Sequence, residues 1–107
     1  MRRGTTPTYT LTVNGYDLRM MTVYVTVKGS SDTIVTKTGD DLSISADESG
    51  SVIAFRLTQA ETLALPEGRG EVQVRFIDAN GVALATDIRA ITIERVLLPG
   101  EIEYRGD

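Results

Sequence analysis

Residues 20–28 read MMTVYVTVK. Met21, Val23, Val25 and Val27 alternate with Thr22, Tyr24, Thr26 and Lys28. Alternation of β-branched residues at period two predicts a strand with one face buried. Its neighbours repeat the pattern. In TYTLTVN, residues 8–14, Tyr9, Leu11 and Val13 share one side, and Asn14-Gly15 marks a turn. A second turn, VKGSSDT, leads to the short strand TIVTK, which Thr38-Gly39-Asp40 breaks. LSISA sets Leu42 and Ile44 against serines, and SVIAFRL places Ile53, Phe55 and Leu57 inward.

One helical signature interrupts the strands. Thr58-Gln59-Ala60-Glu61 has the spacing of a capping box, with Thr58 capping the free N–H groups and Glu61 reaching back. Leu57, Leu63 and Leu65 can staple the turn to the core, and Pro66 and Gly68 stop it after one or two turns. A long hairpin follows. Val72, Val74 and Phe76 share a face, and Asn80-Gly81 is a favoured type I′ pair. On the returning arm the alternation slips at Thr86-Asp87, as at a β-bulge, and resumes with Ile91 and Ile93.

The pattern predicts an all-β chain, an immunoglobulin-like antiparallel β-sandwich of about seven strands with one short helical turn near residues 58–64. The cysteine pair and core tryptophan of true immunoglobulin domains are absent. The expected organisation is a flexible arm over 1–7, a sandwich over 8–98 and a tail over 99–107.

The chain has 107 residues, enough for one core. It contains no cysteine, so disulfides, zinc–thiolate sites and thiol catalysis are excluded, and no histidine, so histidine-based nucleophile systems are excluded too. Its formal net charge of −4 suits it poorly to a phosphate backbone, and a nucleic-acid partner is not expected. No segment approaches the ~20 apolar residues of a membrane helix. Met1-Arg2-Arg3 resembles a signal-peptide start but no apolar stretch follows, so the expectation is synthesis in the cytoplasm.

Several motifs have simpler readings than their functional ones. Asp40, Asp41, Asp47 and Glu48 are oxygen donors of the type Ca²⁺ prefers, but they lack EF-hand spacing and fit two solvated loops. Asp78-Ala79-Asn80-Gly81 fits a hairpin turn better than a calcium loop, and Gly68-Arg69-Gly70 introduces no helix that would cradle phosphate. Arg105-Gly106-Asp107 is an integrin-type tripeptide at the very end of the sequence. No carboxylate pair is placed on a concave apolar surface, so the chain is expected not to be an enzyme, and no cofactor or metal is expected.

The two ends carry the functional expectation. The basic segment with Arg2, Arg3, Thr5 and Thr6 has no period of its own, and Val96, Leu97, Leu98 and Ile102 overrun the last strand. Two readings compete for these segments: an end cap with a loose tail, or docking on a partner, either an acidic neighbour or another copy. Sheet edges offer strand addition as a second route.

RRGTTPTYTLTV, YVTVKG, RLTQAETLAL, VQVRFIDANGVALAT and ERVLLPGEI, in this order, resemble a family of small proteins of Firmicutes phages and prophages. The resemblance spans nearly the whole chain except the final EYRGD. It implies a virion role at the tail or baseplate, with other virion proteins or copies of itself as partners and a homo-oligomeric state in the particle. It carries over no catalytic residue. The alternative is a stand-alone immunoglobulin-like module binding a carbohydrate or protein ligand.

Overall fold

The computed structural model describes residues 1–106. Eight strands form along the chain: β1 (Thr8–Asn14), β2 (Thr22–Lys28), β3 (Ile34–Thr38), β4 (Leu42–Asp47), β5 (Gly50–Arg56), β6 (Gly68–Ile77), β7 (Ala83–Ala85) and β8 (Arg89–Ile93). The one α-helix, α1 (Gln59–Ala64), lies between β5 and β6. One sheet has the order β1-β5-β4; the other runs β3-β2-β6, with β7 and then β8 along the far side of β6. All of these strand pairs are antiparallel. The chain crosses between sheets after β1, β3 and β5, which is the Greek-key path of an immunoglobulin-like sandwich.

The period-two pattern decides which faces meet. Val23, Val25 and Val27 of β2 pack against the inward Ile53 and Phe55 of β5, with Val72, Val74 and Phe76 of β6 completing the core. Each fully buried aliphatic or aromatic side chain contributes about 1.5–3 kcal/mol. Tyr9 of β1 stacks at a tilt on Phe55, with centroids 5.8 Å apart, and burial raises the pKa of its phenol. Gly50 is required where β5 starts, because its φ is +151° and a Cβ there would lie 2.3 Å from the Val13 carbonyl oxygen.

The capping box forms as the spacing predicts. Thr58 Oγ1 accepts from the Glu61 amide at 3.1 Å, and Glu61 Oε1 accepts from the Thr58 amide at 2.8 Å. The bulge also forms. Arg75 pairs with Ala85, but Val72 pairs with Arg89, so the returning arm gains one residue between β7 and β8. This divides the expected last strand in two and gives eight strands rather than about seven.

Two local expectations change. Asn80-Gly81 is not a type I′ pair, since among the described residues no non-glycine residue, Asn80 included, has positive φ. Instead the Gly81 amide donates to the Asp78 carbonyl, Gly81 takes φ +83°, and Asp78 Oδ1 accepts from the Asn80 and Val82 amides. This is the three-residue loop in which a type I turn is followed by a left-handed glycine. The second change concerns residues 1–7. Arg2 pairs in parallel with Glu94, the Met1 carbonyl accepts from the Glu94 amide at 2.7 Å, and the Arg3 amide donates back to Glu94 at 3.0 Å. Met1 packs against the core. The segment first extends the five-stranded sheet beside β8 and then crosses into the other sheet as β1, so it differs from the detached arm that its composition suggests.

Candidate functional site

The expected contact residues lie at both chain ends, and α1 brings the two ends together. The Arg3 guanidinium donates to the Leu63 carbonyl, and Thr62 Oγ1 donates to the Thr5 carbonyl at 2.9 Å. Gln59 holds the other end: its Nε2 donates to the Ile102 carbonyl at 3.1 Å and its Oε1 accepts the Ile102 amide at 2.8 Å. Val96 and Leu63 both lie beside Gly4. Arg3, Thr5, Val96 and Ile102 thus share one end of the sandwich.

The basic segment meets its acid within the domain. Arg2 forms a 2.8 Å ion pair with Glu94 and donates to the Arg95 carbonyl. Arg3 is half-buried, with its Nε enclosed and without a hydrogen-bond partner. Thr6 Oγ1 accepts from Arg56. Within the chain the two arginines thus meet Glu94, just past β8, and the Leu63 carbonyl, while the Arg2 side chain stays about half exposed.

The other end behaves differently. Leu97 is 86% exposed, Leu98 65% and Ile102 61%. Tyr104, absent from the sequence-based set, is 95% exposed. Its signal is the alternation Glu101-Ile102-Glu103-Tyr104, which has strand period but no strand partner among the described residues. A second apolar surface that the sequence reading passed over lies on the outer face of the five-stranded sheet. There Tyr24 stands opposite Arg75, and with Ile77 and Ala83 they line a shallow groove of about 240 Å³.

The acidic candidates are not gathered. Asp40 and Asp41 occupy a 3-10 turn before β4, whereas Asp47 closes that strand at its other end. Asp47 accepts from the Ser49 amide and hydroxyl, which hold its carboxyl below the usual range. Among the described residues no group of three or more acidic, histidine or cysteine side chains is placed to hold a metal ion. Asp107 of the Arg105-Gly106-Asp107 triplet lies outside the described residues. Among the described residues no helix is long and apolar enough to cross a membrane.

Compared with models of known protein families and with curated proteins, the chain matches none.

Proposed function

We propose that this chain is a structural protein of a phage or prophage virion, an assembly or adaptor module of the tail or baseplate that works through protein–protein contacts. The observation that carries the contact role is the apolar run Leu97, Leu98, Ile102 and Tyr104, exposed on the outside of the sandwich. Apolar side chains aligned along one segment gain free energy only when a second surface covers them. The phage assignment is supported by the resemblance of the ordered segments from RRGTTPTYTLTV to ERVLLPGEI. No catalytic role, cofactor, nucleic-acid contact or membrane contact is proposed.

A photo-crosslinking residue in place of Leu97 tests this reading in cells that produce the particle. Capture of a virion protein or of a second copy is expected, together with the chain's presence in purified particles. Absence from those particles overturns the virion assignment. The second reading, a ligand-binding module, draws on the Tyr24–Arg75 groove. Loss of a carbohydrate or peptide ligand on Tyr24→Ala would favour it.

A further inference from the structure

An edge strand exposes a row of backbone donors and acceptors, and folded proteins ordinarily blunt such edges. Four of the edges here are blunted. β3 carries an inward lysine, Lys37, buried and bound to Glu61. β4 has Asp40 and Asp41 before it and Asp47 at its end, and the 3-10 turn Leu18–Met20 lies against it. β7 is three residues long and stops at the bulge. β8 is taken by residues 1–3.

β1 has none of these devices. It is seven residues long and contains no charge, proline or glycine. The Leu57 amide donates to the Pro7 carbonyl, and the Gly15 amide donates to Ser49, so the odd-numbered residues face β5. Thr8, Thr10, Thr12 and Asn14 therefore turn their backbone N–H and C=O groups away from the sheet. Tyr9 and Leu11 point toward the core yet remain half-exposed, whereas Ile53 and Phe55 beside them on β5 are buried. Beside this edge the seam between the sheets is open, as a groove of about 370 Å³ that Val13, Phe76, Leu84 and Arg89 help to line.

Residues 101–105 match this vacancy. Ile102 and Tyr104 alternate with Glu101, Glu103 and Arg105, so an added strand would set its two apolar side chains beside Tyr9 and Leu11 and its acids on the other face. On that other face the cation beside the β1 edge is Arg56, opposite Thr8; Arg89 lies in the seam, where Asp87 lines the same groove. Within one molecule the segment is held instead by Gln59, with Tyr104 left in solvent.

We propose that residues 101–105 of one copy add as an extra strand along the open edge of β1 in a second copy. This deepens the assembly reading by naming the partner as the chain itself, and it rests on that reading.

Sedimentation velocity across a concentration series tests it on the full chain. The wild type self-associates. Thr10→Pro removes an outward N–H that makes no bond to β5, and Ile102→Asp alters only an exposed side chain. Each is expected to weaken association about tenfold or more, equivalent to about 1.4 kcal/mol, with circular dichroism unchanged. Mixing the two variants restores a heterodimer, because one retains the strand and the other the edge. A monomeric wild type, or wild-type association in Ile102→Asp, overturns the proposal, and Ile102→Asp decides the matter should Thr10→Pro fail to fold. A monomeric chain that still cross-links to a different virion protein overturns this inference and leaves the assembly role standing.

Discussion

Lys37 Nζ lies 2.7 Å from Glu61 Oε1, and that same oxygen accepts the amide that begins helix α1. One carboxylate therefore fastens edge strand β3 to the cap of the helix. The side chains are 11% and 26% exposed, so the pair is partly shielded from water. Glu61→Ala leaves the Thr58 amide without its acceptor and a buried ammonium without its partner, at an expected cost of about 1–3 kcal/mol. Lys37→Met keeps the apolar stem against the core and should cost less. Urea denaturation of both variants checks the order; a larger loss in Lys37→Met would contradict this geometry.

Acid should loosen the same link. Burial raises the Glu61 pKa, but the bonds from Lys37 and the Thr58 amide outweigh it and hold the carboxyl below its ordinary 4.5. The folded state thus binds this proton more weakly than the unfolded one. The stability it contributes is complete above the ordinary value and is lost as pH falls through the folded pKa. Arg19 also holds Asp17 at about 2, but that pair is on the surface, where solvent screening discounts its contribution to stability. Urea midpoints measured below about pH 5 should fall less steeply for Glu61→Gln than for the wild type.

The N-terminal residues should matter to stability. Removing residues 1–3 deletes the Arg3–Glu94 and Glu94–Met1 backbone bonds, the bond from the terminal ammonium to the Thr92 carbonyl, and the packing of Met1. The expected loss is about 2 kcal/mol, visible as a lower Tm. Arg2→Ala alone should change little, because its ion pair is about half exposed. An unchanged Tm in the truncated chain would mean that the segment is detached in solution.

Thr86 repairs the sheet at the bulge. Its hydroxyl accepts from the Val74 amide at 3.1 Å and donates to the Asp87 carbonyl, while its own amide donates to the Val74 carbonyl at 2.9 Å. Thr86→Val keeps the shape and removes the acceptor from a partly buried amide. A cost of about 1–2 kcal/mol is expected, with faster hydrogen exchange at Val74 as the specific readout. Thr86→Ser should restore most of the protection.

The sequence alone determined the class of fold, the inward positions of β2, β5 and β6, and the cap of α1. Each depends on residues two to four apart, so period and spacing carry the information. The bulge at Thr86 was legible for the same reason, as a slip in alternation. The loop after Asp78 was misread because Asn80-Gly81 suits two turns, and the conformation of Asn80 chooses between them. Only the tertiary structure decided that the ends of the chain have unlike fates. Arg2 finds Glu94 across 92 residues and Met1 finds Thr92 across 91, and no local pattern marks such partners. The burial of Lys37, the exposure of Tyr104 and the open edge of β1 have the same origin, since a strand becomes an edge only when the arrangement of all the others leaves its outer side uncovered.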